Sequence, residues 1–200
     1  VMIKCPQRSK EGVSSSTSNV YKNQAPIHAT VGQPMTKLPQ EIFKAYDIRG
    51  IVDKSLTETV TNQIGQAIGT EATLAGDRSV VIGRDGRLSG PSLATALSEG
   101  IRSTGCDVID IGMVPTPVTY FATHHLETGS AVSITGSHNP PEYNGLKVMI
   151  AGETLAGDRI QMLRKRIEEQ DLLSGNGSHH YESVIEAYAA RITGDITLQR

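Results

Sequence analysis

The sequence predicts an α/β fold: a three-layer α/β/α sandwich with a mixed, mostly parallel four-stranded sheet. Two observations carry this. Short apolar runs at 79–83, 107–113 and 130–135 alternate with longer stretches whose apolar residues recur every three or four positions. That strand–helix–strand order builds a parallel sheet through right-handed crossovers. A further apolar run, 146–150, follows 130–135 after about nine residues, Gly136 to Asn144. A parallel connection needs roughly a dozen or more, so these two strands are expected as antiparallel neighbours.

In chain order, residues 1–36 are rich in Ser, Thr, Asn, Gln, Lys and Pro, and Ser14-Ser15-Ser16-Thr17-Ser18-Asn19 approaches low complexity. Such a stretch buries too little apolar surface to order itself, so a disordered tail is expected, with His28 solvated. It has no apolar core of the signal-peptide type, and Met35 is a candidate start. Residues 37–173 read as one domain, and 174–200 as a linker with the first helix of a second. Ile42–Tyr46 reads as a short extended segment, and Asp47 and Arg49 as an ion pair around a turn. Thr57–Leu74 reads as a helix: Thr57 or Ser55 caps it, Val60, Ile64 and Ile68 form its stripe, and Gly76 stops it. Ser89 caps the next, with Leu93, Leu97 and Ile101 inward and Gly105 as the stop. Asp107–Met113 alternates as a strand does.

Thr116-Pro117 caps and starts a third helix, proline in its first turn, with Val118, Phe121 and His125 on one face. His124 and His125 are not expected to share a metal, because i,i+1 residues on a helix point apart. Thr154–Gln170 is a fourth helix, with Ile160, Leu163 and Ile167 inward. Ser174–His180 is a linker by composition, and Tyr181–Arg200 a further helix with Val184, Tyr188 and Ile192 on one stripe.

Composition excludes several classes. Nineteen basic and 21 acidic residues give a net charge of −2. There is no Lys/Arg-rich run, which argues against nucleic acid and against an anionic membrane surface. Trp is absent and aromatics make up 4%, leaving no stacking platform for single strands. No apolar stretch approaches the roughly 18 residues of a bilayer span. Cys5 and Cys106 lie far apart with no CxxC, which suggests a reducing, cytoplasmic setting and no zinc site.

The chemistry is expected in the loop Thr135-Gly136-Ser137-His138-Asn139-Pro140-Pro141-Glu142-Tyr143-Asn144-Gly145. Gly136 allows close approach of the backbone and a positive φ. Pro140 and Pro141 stiffen the loop and push Asn139 towards extended geometry. Such a loop can offer N–H groups to an anion, and Ser137 is a candidate nucleophile or phosphate carrier; the alternative is a polar turn with no chemistry. Lys147 interrupts the run Leu146–Ile150 and points away from the face of Leu146, Val148 and Ile150. Pairing Gly136 near Gly145 puts it across from Ile134, about 10 Å from Ser137 at roughly 3.3 Å per residue. There it is a candidate acid or base, or a solvated strand lysine. Strand C-terminal ends share one edge of such a sheet, which gathers Gly83-Arg84-Asp85, Gly112–Pro115 and Gly136-Ser137. Arg84, Asp85 and Arg87 can touch phosphate there, but an ion network bracing the loops is the favoured role.

Residues 135–147 resemble the phosphoserine loop of the α-D-phosphohexomutases, in particular the bacterial phosphomannomutase/phosphoglucomutase branch. Phe43-Lys44-Ala45-Tyr46-Asp47-Ile48-Arg49-Gly50, Gly83-Arg84-Asp85-Gly86-Arg87 and Gly112-Met113-Val114-Pro115-Thr116-Pro117 agree in the same order. The resemblance implies an isomerase that moves phosphate between O1 and O6 of hexose phosphates through a phosphoserine and a 1,6-bisphosphate. Carried over residue by residue, Ser137 carries the phosphoryl group and Lys147 is the acid or base. His138 donates a hydrogen bond to substrate or to a phosphate oxygen, Asn139 shapes the loop or touches substrate, and Tyr46 and Arg49 line the cleft. The resemblance also implies Mg²⁺, ligated here through the phosphate on Ser137, and glucose or mannose 1,6-bisphosphate as activator. The family's Asp-Gly-Asp-x-Asp-Arg run, which supplies the other metal ligands, is absent from this sequence. The partners implied are therefore the missing domains of the same polypeptide, and little turnover is expected of the chain alone. Two other classes stay open. A serine hydrolase would use Ser137 with a histidine base, but lacks Gly-x-Ser-x-Gly here. A non-catalytic phosphosugar- or partner-binding module would keep the loop without the cage.

Overall fold

A computed structural model describes residues 38–196. The tail expected over 1–36, with His28 and Cys5, lies outside the described residues. The elements are β1 (Ile48–Ile51), α1 (Glu58–Leu74), β2 (Ser79–Arg84), α2 (Gly90–Arg102), β3 (Asp107–Met113), α3 (Thr116–His125), β4 (Ser130–Ile134), β5 (Tyr143–Ile150), β6 (Glu153–Thr154), α4 (Asp158–Glu169), β7 (His179–Tyr181) and α5 (Ile185–Asp195). The three-layer sandwich is the observed architecture. Its sheet has seven strands rather than four, in the order β1-β5-β4-β2-β3-β7, with β6 paired to β5. β2 pairs in parallel with β3 and β4, and β3 with β7, while β5 pairs antiparallel with β1, β4 and β6. β5 is thus the one strand running against the rest.

The side chains explain the layers. Val80, Ile82, Val132, Ile134, Leu146 and Val148 face a core closed by α1, α2 and α4. Val81, Ile109, Ile111 and Ala131 face a smaller core with Val118 and Ala122 of α3 and Val184 beside α5. Alternation along each strand divides the two sets, as a two-sided sheet requires. The expected stripes are the buried ones: Val60, Ile64 and Ile68; Leu93, Leu97 and Ile101; Ile160, Leu163 and Ile167. The Thr57 hydroxyl accepts the Val60 N–H at 3.2 Å and caps α1. α1 and α2 lie so close that a Cβ on Gly100 would sit 2.1 Å from the Asn62 carbonyl oxygen.

Several local expectations change. The segment 42–46 is not a strand: its first residue closes a 3-10 turn over Gln40–Ile42, and the strand is β1, just downstream. β1 is short and lies at the sheet edge, so only Ile48 and Gly50 are buried. Thr116 does not cap α3, whose cap is Pro115; its hydroxyl is 3.0 Å from that of Ser133. Ser89 precedes α2 without a capping bond from its side chain and accepts from Asn144 Nδ2 at 2.9 Å instead. α4 begins at Asp158, because Glu153 and Thr154 first pair with β5. The stretch read as a linker ends in β7. On α5, Tyr188 meets Phe121 edge to face at 5.2 Å, whereas Ile192 is exposed.

Besides its pairing with β3, β7 is anchored at its start by one carboxylate. Asp107 Oδ1 accepts the N–H of Ser178 at 2.6 Å and its hydroxyl at 2.7 Å. These two bonds, the backbone one first, hold the Asp107 carboxyl below its ordinary 3.8. A carboxyl lowered in the folded state stabilises above its ordinary value and loses that contribution as pH falls through the lowered one. The Ser178 amide resonance is therefore expected to titrate with a midpoint below 3.8. NMR would show no such movement in Asp107→Asn.

Candidate active site

The loop from Thr135 to Glu142 joins β4 to β5 at the C-terminal edge of the parallel strands. Ser137 is exposed there. The expected positive φ falls on Ser137 itself, at 51°, and not on Gly136. For a serine this is a sparsely occupied conformation, costing on the order of 1–3 kcal/mol unless the surroundings impose it. They do impose it. The Ser137 N–H donates to Thr135 Oγ1 at 2.9 Å, and its carbonyl accepts from Arg87 Nη2 at 3.3 Å. The Ser137 hydroxyl makes no hydrogen bond to any described residue.

Arg87 and Asp85 grip the loop from the end of β2. Arg87 donates to the carbonyls of Asn139 (2.6 Å), Pro140 (2.7 Å) and Tyr143 (2.9 Å) as well as Ser137. Asp85 Oδ2 accepts the Gly136 N–H at 2.9 Å, and Oδ1 the Arg87 N–H at 3.0 Å. The bracing expected of this pair is present: Arg87 and Asp85 face each other as an ion pair at 3.6 Å, and both hold main-chain groups of the loop. Arg84 takes no part in it: it has no polar side-chain partner among the described residues. Gly136 is required by space: a Cβ would lie 1.7 Å from Arg87 Nε.

β1 grips from the other side. Arg49 Nη1 donates to the Gly136 carbonyl at 2.8 Å, and Nη2 to Asp47 Oδ2 at 2.6 Å. The ion pair read from the sequence is real, though it opens a strand rather than rounding a turn. Asp47 Oδ2 also lies 3.6 Å from Lys147 Nζ. The register places Lys147 opposite Ser133, one residue from the expected Ile134. Lys147 points to the α3 face as expected, its side chain 31% exposed.

Arg49 and Lys147 thus meet at Asp47, and Arg49 and Asn139 meet at the Gly136 carbonyl, next to Ser137 in the chain. Asn139 Nδ2 donates to the Gly136 carbonyl at 3.2 Å, so Asn139 shapes the loop. His138 is exposed and makes no hydrogen bond to a described residue. Tyr46, 76% exposed, stands at the rim beside Asp47. The Asp47–Lys147 contact was the residue role that sequence reasoning missed. Nothing in a sequence links positions so far apart except the pairing of β1 with β5. A hollow of about 480 Å³ lined by Asp77, His124, Glu127 and Gly129 lies at the other end of β4 and bears on none of these groups.

The residues beside the loop do not form a Mg²⁺ cage. Asp85 and Asp47 are engaged by the loop amides, Arg87, Arg49 and Lys147. No group of three or more His, Cys, Asp or Glu among the described residues could hold a metal ion. No helix among them is long and apolar enough to cross a membrane.

Comparison with known proteins places this arrangement. The profile described as phosphoglucomutase/phosphomannomutase, alpha/beta/alpha domain I, matches residues 40–174. The phosphomannomutase/phosphoglucomutase of Pseudomonas aeruginosa is 52% identical over 163 residues, which are 82% of this chain and 35% of that protein. The phosphoglucomutase of Neisseria meningitidis serogroup B is 46% identical over 168 residues, 83% of this chain and 36% of its own length. A crystal structure of a phosphoglucomutase/phosphomannomutase family protein from Burkholderia thailandensis superposes with a TM-score of 0.78 at 47% identity, covering 82% of this chain and 37% of that one. The chain spans about a third of the length of the curated relatives it matches. It belongs to the phosphoglucomutase/phosphomannomutase family, of which it carries the α/β/α domain I.

Proposed function

We propose that this chain is the phosphoacceptor part of a phosphohexomutase, an isomerase that interconverts hexose 1-phosphates and 6-phosphates. The observation that carries this reading is an exposed serine hydroxyl without a hydrogen-bond partner among the described residues, on a loop whose main chain is held on both sides. Ser137 Oγ takes a phosphoryl group from a hexose 1,6-bisphosphate: the Oγ–P bond forms, the P–O bond to the sugar breaks, and the hydroxyl proton ends on the departing sugar oxygen. Lys147 serves as the acid or base for that proton, with Asp47 fixing its ammonium. His138 and Tyr46, both exposed, contact the sugar phosphate. Arg49 supplies positive charge behind the loop, where a phosphoserine of about −1.5 to −2 charges needs it. A Mg²⁺ ion would take an oxygen of that phosphate as its ligand from this chain. The remaining ligands come from a second domain of the longer polypeptide, and the compartment is cytoplasmic.

The test is intact mass and turnover on the same sample. Incubation with glucose or mannose 1,6-bisphosphate is expected to add about 80 Da, one phosphoryl group, at Ser137. A coupled assay is expected to show little hexose phosphate interconversion by the chain alone, which is a third of its relatives' length. Normal turnover would refute the second expectation. Binding of hexose phosphate without any mass increase would favour a non-catalytic phosphosugar-binding module. Labelling of Ser137 by a fluorophosphonate would favour a hydrolase.

A further inference from the structure

The geometry points to Arg87 as the positioning residue of the acceptor loop: its guanidinium holds Ser137 in the left-handed conformation that keeps Oγ outward, and it does not bind substrate. This rests on Ser137 being the acceptor.

The argument is one of donors. A guanidinium has five N–H donors and no acceptor. Arg87 Nη1 donates to the carbonyls of Pro140 and Tyr143, Nη2 to those of Ser137 and Asn139, and Nε lies 3.6 Å from Asp85 Oδ2. All four Nη donors are taken by main-chain carbonyls, and Nε faces the Asp85 carboxylate, so the fork is turned into the protein and away from a phosphate. The four carbonyls stand on both sides of the Pro140-Pro141 bend, and one planar fork reaching all four fixes their relative positions. Asp85 completes the clamp, taking the Gly136 N–H on one oxygen and the Arg87 N–H on the other. The loop cannot relax towards a negative φ at Ser137 without moving the Ser137 carbonyl off Nη2. Gly136 is part of the same device, since a Cβ there would meet Arg87 Nε at 1.7 Å, Cζ at 1.9 Å and Nη2 at 2.4 Å. Lysine cannot replace this arginine, because a compact ammonium with three donors does not span four carbonyls.

The experiment uses the 200-residue chain as wild type, Arg87→Ala, Arg87→Lys, Gly136→Ala and the double variant. Amide hydrogen exchange reads the clamp. The Gly136, Ser137 and Asn139 amides are expected to exchange at least about tenfold faster in Arg87→Ala, with α1 and α2 unchanged. Phosphoryl uptake from glucose 1,6-bisphosphate, followed by intact mass, reads its consequence. Arg87→Ala is expected to slow uptake by about 10²-fold, the scale on which a misplacement of about 1 Å acts, and Arg87→Lys to recover little of it. Gly136→Ala slows uptake beside Arg87 but adds nothing in Arg87→Ala, where the space is empty; such non-additivity marks a shared contact. Unchanged loop exchange in Arg87→Ala, or uptake equal to wild type, overturns the proposal while leaving the acceptor reading intact. Loss of the thermal unfolding transition in Arg87→Ala overturns it too, by assigning the clamp to the whole fold. Absence of uptake in wild type overturns both.

Discussion

Ser137→Ala is expected to abolish phosphoryl uptake and leave the fold as it is. The hydroxyl makes no hydrogen bond to a described residue, and the side chain is exposed. Alanine meets the same backbone demand as serine at a φ of 51°, so stability is expected within about 0.5 kcal/mol of wild type, the range of surface substitutions. The loop grip acts on carbonyls that alanine retains. Chemistry, by contrast, loses the loop's exposed hydroxyl, the proposed acceptor oxygen. After incubation with glucose 1,6-bisphosphate, intact mass is expected to show no addition, where wild type gains about 80 Da. Uptake persisting in Ser137→Ala at another residue would remove the basis of the proposed function, whatever the family.

Gly100→Ala is expected to cost about 2 kcal/mol of stability. Two effects oppose each other. Alanine is preferred over glycine inside a helix by about 1 kcal/mol. Against that, the new methyl would lie 2.1 Å from the Asn62 oxygen, 2.9 Å from its carbonyl carbon and 3.0 Å from the Gln66 nitrogen. These are main-chain atoms of α1, which cannot rotate aside, so the helices must part. A Cβ on Gly65, 2.5 Å from the Leu97 oxygen, marks the same contact from the other helix. Overpacking of this kind costs about 1–3 kcal/mol or more, and here it lies at the upper end, so the clash wins. Urea unfolding should show the loss in midpoint, with Tm lower by roughly 6 °C for a chain of this size. An unchanged midpoint would mean that α1 and α2 are free to slide.

What could be read in the sequence was what repeats. Val60, Ile64 and Ile68 fix α1, with Thr57 as cap, and the alternation from Asp107 to Met113 fixes β3 to the residue. The loop and its hairpin were legible because Gly136 to Asn144 is too short for a crossover. β1, β6 and β7 were not, being four, two and three residues long, too short for a period to declare itself. They exist because neighbouring strands offer unpaired edges, which is a tertiary cause. The positive φ was placed on the glycine because propensity favours it there. In the fold, a different constraint wins: Arg87 occupies the space over Gly136, and the carbonyls it holds turn Ser137. The Asp47–Lys147 contact depends on the register of two strands, and no local pattern encodes that.

The clamp on the loop has an effect on how this surface can diversify. Within the loop, Arg87 reads only main-chain carbonyl oxygens, which every amino acid possesses. Outward residues such as His138, Pro141 and Glu142 can therefore be exchanged without disturbing the frame beneath them. Recognition of one sugar or another can drift at those positions while the acceptor stays where it is. A library randomised there should yield many folded members, whereas one randomised at Asp85, Arg87 or Gly136 should yield few.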